Sequence, residues 1–179
     1  MRNRIHALAA GLTVLVALAT PGCSANQASP TPPQQPPAIT QPLASPPALP
    51  SQDEIAALFD QWNAALATGD PEKVADLYAP NAVLLPTMSN QIRTTRAEIV
   101  DYFTHFLESK PRGSIDRAVI TVIDPQTAIN TGIYTFELIR DGQLQNIQAR
   151  YTFAYQKQNG KWLIVNHHSS TMPEPVPAR

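Results

Sequence analysis

From Ser114 to Ser169 the apolar residues fall on alternate positions, and the alternation is interrupted at Asp124-Pro125, Asp141-Gly142 and Asn159-Gly160. A period of two belongs to a strand with one buried face. Asn-Gly and Asp-Gly are the pairs that a two-residue hairpin turn requires, because both central residues take positive φ. The pattern predicts four strands at about 114–123, 127–140, 143–157 and 161–169, joined as an antiparallel meander. Such a sheet has an apolar face that must be covered, and the covering elements have to come from the chain ahead of it.

That stretch reads as helices. Ser51 stands before Asp53 and Glu54, an N-cap followed by acids in the first turn. Ile55, Leu58, Phe59, Trp62, Ala65 and Leu66 then recur at helical spacing up to Gly69. Asp70-Pro71 opens a second helix, with Val74, Leu77 and Tyr78 as its apolar face and Pro80 as its stop. Residues 82–85 read as a short strand, followed by the polar loop Pro86-Thr87-Met88-Ser89-Asn90. Thr95 and Glu98 make a capping box for a third helix with Ile99, Tyr102, Phe103, Phe106 and Leu107 on one side, which Pro111 ends. The fold class is α+β: a long N-terminal helix and two shorter ones packed in a curved, mostly antiparallel sheet. Such a sheet wraps its helix as a cone, and the open end of a cone is a natural place for a pocket.

The first fifty residues have a different character. After Arg4 no Lys, Arg, Asp or Glu occurs until Asp53. Arg2 and Arg4 precede an apolar run over 5–19, the layout of an export signal and too short for a membrane-spanning helix. The run leads to Gly22-Cys23, and Cys23 is the chain's single cysteine. A small residue before a cysteine is what a lipoprotein signal peptidase needs, so Cys23 is the expected lipidated N-terminus. Nine prolines fall within 24–50. Proline lacks the backbone donor and fixes φ, so this segment is expected to be an extended spacer. The predicted organisation is 1–22 signal peptide, 23–50 disordered tether, 51–175 cone domain and 176–179 tail. The protein is expected to be exported and anchored at the periplasmic or cell-surface side of a membrane, or secreted. Setting aside Arg2 and Arg4, 11 Lys and Arg stand against 14 Asp and Glu, a net charge of −3 that argues against a nucleic-acid partner.

The order of elements resembles the nuclear transport factor 2-like, or SnoaL-like, cone fold. Within it, several strings are similar to bacterial relatives of the calcium/calmodulin-dependent protein kinase II association (hub) domain. They are Gly69-Asp70-Pro71 with Leu77-Tyr78-Ala79; Leu84-Leu85-Pro86-Thr87-Met88-Ser89-Asn90; Tyr102-Phe103-Thr104-His105-Phe106-Leu107; Ala149-Arg150-Tyr151-Thr152-Phe153; Gly160-Lys161-Trp162-Leu163-Ile164; and His167-His168-Ser169-Ser170 with Met172-Pro173. The resemblance spans nearly all of 51–175. It implies a domain that assembles copies of itself and holds small carboxylates in a pocket. It implies no kinase activity, because no Gly-rich loop, catalytic-loop Asp or metal-binding Asp motif is present. By the same matching, Tyr134 and Ser169 stand where the kinase hub has arginines, and His168 matches a histidine the hub retains.

Candidate residues follow. Adjacent strand residues point to opposite faces, so His167 and His168 cannot both line one pocket or ligate one metal. No metal and no cofactor are expected, and His168 is taken as the pocket residue. Arg150 lies mid-strand, sharing a face with Thr152 and Ala154. Pointing inward, it would bind an anion, with a salt bridge to Glu137 as the rival arrangement. Arg93 is a second possible anion ligand, and Trp62, Tyr102 and Tyr134 are the expected walls. Tyr151, Phe153 and Tyr155, on the other face from Arg150, are then an exposed aromatic interface. The reading is a non-catalytic, self-associating domain, at least a dimer, that binds a small polar or anionic ligand. The alternative is a SnoaL-like isomerase, cyclase or hydrolase using Glu137 or His168. Mass spectrometry of the mature protein is expected to find a diacylglyceryl adduct on Cys23; a mature terminus at any other residue refutes the anchor.

Overall fold

The computed structural model describes residues 47–175. The expected signal, Cys23, most of the expected tether and the C-terminal tail lie outside the described residues. Eight elements follow in order: α1 (Gln52–Ala67), α2 (Pro71–Ala75), β1 (Tyr78–Leu85), α3 (Arg96–Leu107), β2 (Arg112–Asp124), β3 (Thr127–Arg140), β4 (Gln143–Gln158) and β5 (Lys161–Thr171). The strands form one sheet in the order β1-β5-β4-β3-β2. β1 runs parallel to β5 and every other neighbouring pair is antiparallel. Both Asx-Gly turns are as expected, with φ of 52° and 72° at Asp141 and Gly142 and 52° and 81° at Asn159 and Gly160.

The caps hold the helices where the sequence puts them. Ser51 Oγ accepts from the Glu54 amide at 3.0 Å, and Asp70 Oδ1 accepts from the Glu72 amide at 3.0 Å. At α3, Glu98 Oε2 accepts from the Thr95 amide at 3.0 Å while Thr95 Oγ1 accepts from the Glu98 amide at 3.3 Å, a reciprocal box. α1 lays Ile55, Leu58, Phe59, Trp62 and Leu66 against the sheet. Phe59 meets Tyr134, Tyr151 and Phe153, and Trp62 meets Phe103, Phe136, Phe153 and His167.

This packing corrects the facing of β4. Tyr151, Phe153 and Tyr155 are buried in the core under α1, not displayed on an outer surface. Arg150 is exposed on the opposite face, where its Nε donates to Ser170 Oγ at 3.2 Å. The reason is area. Helices cover one face of the sheet, three large aromatics bury far more apolar surface than Arg, Thr and Ala, and each aromatic brings 150–250 Å². Because strand parity is strict, misplacing Arg150 inverts every neighbour. The proposed Arg150–Glu137 salt bridge is absent as well. Arg150 registers with Ile133 and Ser170, while exposed Glu137 registers with Arg112 and Asn146.

Tyr78 is a second correction. α2 stops at Ala75, and Tyr78 opens β1, paired with Ile164. A helix of one turn has little cooperative stability. Tyr78 gains a strand partner and a buried hydroxyl network instead.

Gly132, on β3 beside a bulge in β2, touches its neighbour most closely. A Cβ there would lie 1.8 Å from the Arg117 carbonyl oxygen, a backbone atom that cannot swing away. Gly132→Ala is expected to lower the unfolding free energy in urea by about 2–3 kcal/mol, the scale of overpacking in a closed site; an unchanged midpoint refutes this contact.

Candidate functional site

The bulge that places the site is in β5. Tyr155 pairs with Ile164 and Ala154 with Asn166, so Val165 is the extra residue. Ile164 faces the core. In a regular strand Asn166 and His168 would follow it inward, but the extra residue inverts the parity. His167 and Ser169 are therefore buried, and His168 points outward, opposite Thr152. The expectation that His168 lines the pocket is corrected to His167.

His167 sits in a hydrogen-bond chain that starts on α1. Trp62 Nε1 donates to the Tyr78 hydroxyl at 3.2 Å, and that hydroxyl meets His167 Nδ1 at 2.8 Å. An indole N–H only donates, so the Tyr78 oxygen is the acceptor there. Tyr78's one proton is then best placed on His167 Nδ1, since the other direction would strand it in a buried site. Nδ1 is thus an acceptor, and the proton of the neutral ring resides on Nε2. Burial holds the His167 pKa down at about 3, with the neighbouring His168 charge adding to the effect. Burial also pushes the Tyr78 hydroxyl well above its usual range. The ring stacks on Phe153 at 4.0 Å between centroids and meets Trp62 edge-on at 5.3 Å.

His167 borders a partly enclosed recess of about 40 Å³, room for about three waters. Its walls are Trp62 from α1, Leu84 from β1, Pro86, Thr87 and Met88 from the following loop, Tyr102, Phe103 and Phe106 from α3, Tyr134, Phe136 and Leu138 from β3, and Ile147 and Ala149 from β4, with His167 and Ser169 from β5. The expected walls Trp62, Tyr102 and Tyr134 are all present. A second polar chain crosses it: the Tyr134 hydroxyl donates to Ser169 Oγ at 2.5 Å, and Ser169 Oγ is hydrogen-bonded to Thr87 Oγ1. Burial raises the Tyr134 hydroxyl well above its usual range and the Tyr102 hydroxyl to about 12, the latter against the pull of Arg93 and Arg140. Among the described residues no Lys, Arg, Asp or Glu lines the recess.

Arg93 is close but outside. Its backbone bridges Leu84 in both directions at 2.9 Å. Its guanidinium is hydrogen-bonded to Gln91 and lies 4.0 Å from Asp101. With Arg140, His105 and Glu108 it borders a separate groove reached past Tyr102, Met88 and Phe106. Arg150 and His168 border another, on the outer sheet face. Glu137 and His168, the alternative catalytic pair, are both exposed and neither lines the recess. Among the described residues no group of three His, Cys, Asp or Glu is placed to hold a metal.

A curled five-stranded sheet around a long helix, with a recess under α3, is the architecture of the nuclear transport factor 2-like class. A nuclear transport factor 2-like protein from Salmonella enterica superposes with a TM-score of 0.60 at 20% identity, over 68% of this chain and 91% of that one. The chain belongs to the calcium/calmodulin-dependent protein kinase II association domain family, whose model matches residues 51–173. A crystal structure from Xanthomonas campestris assigned to that domain is 54% identical, covering 73% of this chain and 96% of that one, with a TM-score of 0.68. The kinase hub homology domain of Chlamydomonas reinhardtii is 17% identical, covering 67% of this chain and 97% of that one, with a TM-score of 0.56. No curated protein gives a significant match.

The His167 chain sets a pH dependence. An unfolded histidine titrates near 6.5, whereas the folded ring titrates at about 3. Between these values the unfolded state binds the extra proton, so stability is complete above pH 6.5 and falls as pH drops toward 3. The loss from this group is expected to reach about 2 kcal/mol at pH 5. Denaturant unfolding at pH 7 and pH 5 should show it, and His167→Phe should remove most of the difference; an equal pH dependence in the variant refutes the assignment.

Proposed function

We propose that this domain is a self-associating hub without kinase activity, that it takes a small polar ligand in the recess under α3, and that it works outside the cytoplasm, tethered to a membrane through Cys23. The observation that carries the association is the match of an association-domain family over residues 51–173. The sheet supplies a suitable surface. Helices cover one face, and the other presents Ile129, Thr131 and Ile133 from β3, Thr152 and Ala154 from β4 and Val119 from β2. A broad face of this kind, rich in β-branched residues, favours sheet-on-sheet packing between copies. Arg117, Arg150 and His168 lie on the same face, bordering a groove of about 470 Å³ with Val119, Ile133 and Ser170.

A ligand in the recess is supported by its geometry: apolar walls, a few convergent hydroxyls and a buried imidazole, most of them set on helices and strands. Small-anion binding by Arg150 and His168 is not part of this proposal, because both residues are on the far side of the sheet.

Light scattering of the 51–175 domain at tens of micromolar is expected to give at least a dimer. Ile133→Glu, in the middle of the outer face, is expected to lower the mass to that of the monomer while leaving the far-ultraviolet dichroism unchanged. A wild-type domain that stays monomeric at high micromolar concentration overturns the hub reading, and a variant that keeps the wild-type mass moves the interface elsewhere.

A further inference from the structure

Among the described residues His167 Nε2 is buried and meets no hydrogen-bond partner. The Trp62–Tyr78–His167 chain assigns its proton. A buried, unpaired N–H is costly, so a donor kept in this state on a residue that lines the recess calls for a partner from outside. We infer that the recess is a site for a small, uncharged molecule carrying a carbonyl-type oxygen, which accepts a hydrogen bond from His167 Nε2; this rests on the reading of the recess as a ligand site.

Three features define the class. The first is that the recess has donors to spare. The Tyr134 proton is already committed to Ser169, and if Ser169 donates onward to Thr87, the proton left over at the end of that chain belongs to the Thr87 hydroxyl. The second feature is the absence of a countercharge. Arg93 and Arg140, whose charges act on the Tyr102 hydroxyl, border the separate groove, and among the described residues no cation lines the recess. A carboxylate inside would be a desolvated charge without a partner, which costs far more than a neutral oxygen. The third is the state of the imidazole itself. Held near a pKa of 3 by burial, it stays a neutral donor at any physiological pH and offers an anion no positive charge. The size of about 40 Å³ limits the part that enters to a few heavy atoms.

The test uses the folded domain and two probes of the same size, acetone and acetate. Nitrogen-15 spectra of the imidazoles in the free protein come first: the proton is expected on His167 Nε2, and a proton on Nδ1 overturns the inference. In titrations followed by NMR, acetone is expected to shift both His167 Nε2 and the methyl groups of Leu138 and Ile147. Acetate is expected to bind at least about tenfold more weakly, given the cost of desolvating its charge. His167→Phe keeps a planar ring on Phe153 and is expected to weaken acetone by about three- to tenfold, the range of one net hydrogen bond. Tyr78→Phe, which leaves the imidazole in place but frees its tautomer, is a second variant should the first fail to fold, and it is expected to weaken acetone as well. Acetate binding as well as acetone, or acetone unaffected by both variants, overturns the inference. If acetone moves the Leu138 and Ile147 methyls but not His167, the recess remains a ligand site and this inference falls. If neither probe moves those methyls, the ligand-site reading falls with it.

Discussion

The indole of Trp62 is the point on which the domain turns. It is buried, and its ring touches Phe59 on its own helix, Phe103 on α3, Phe136 on β3, Phe153 on β4 and His167 on β5. One side chain therefore ties two helices to three strands. A group this large releases much apolar area from water, roughly 1.5–3 kcal/mol or more for a fully buried large side chain. Its one polar atom cannot be left alone in such a place. The indole N–H goes to Tyr78, which pulls β1 in beside β5 and spends the Tyr78 proton on His167. The parallel β1–β5 pairing, the tautomer of His167 and the floor of the recess thus follow from satisfying one indole donor.

Most of the architecture was legible in the sequence because its signals are local. Caps at Ser51, Asp70 and Thr95 mark helix starts through one side-chain oxygen each. Asp141-Gly142 and Asn159-Gly160 mark hairpins because few other pairs accept two positive φ values in a row. Helix-borne walls such as Trp62 and Tyr102 were found because a 3.6-residue period names the buried face directly. Strand-borne residues were harder. Alternation divides β4 into Arg150, Thr152 and Ala154 on one side and Tyr151, Phe153 and Tyr155 on the other, without saying which is inside. Resemblance to an arginine-lined pocket drew Arg150 inward; the bulk of the three aromatics was the better guide.

His167 was missed for a different reason. Counting from Ile164 by twos reaches Asn166 and His168, and only the extra residue at Val165 turns His167 and Ser169 inward. A bulge leaves no mark in a single sequence unless a glycine or a break in pattern accompanies it, and none does at Val165. The strand's partner carried a hint: Tyr155, Phe153 and Tyr151 form an unbroken apolar ladder, and pairing it with β5 in register requires one residue of slack. Tyr78 escaped similarly, since its spacing from Val74 suits a helix and its role as a strand residue depends on Ile164, far along the chain.

The shift from an arginine-based site to an imidazole-based one changes what the fold can select. A guanidinium stays charged at every accessible pH and selects anions by charge, at long range and with strong salt dependence. A buried neutral imidazole selects by geometry, at hydrogen-bond distance only, and is indifferent to salt. Residues that place polar but uncharged groups on the interior — Tyr134, Ser169 and Thr87 joined to one another, His167 joined to Tyr78 — fix direction rather than charge. Arg117, Arg150 and His168 border the groove on the face away from the helices. On the proposed reading the sheet separates two kinds of recognition, a small neutral molecule held by a fixed donor on its inner face and a second copy of the chain on its outer face. The Val165 bulge is where the two faces of β5 are set, because the extra residue decides which of His167 and His168 faces inward.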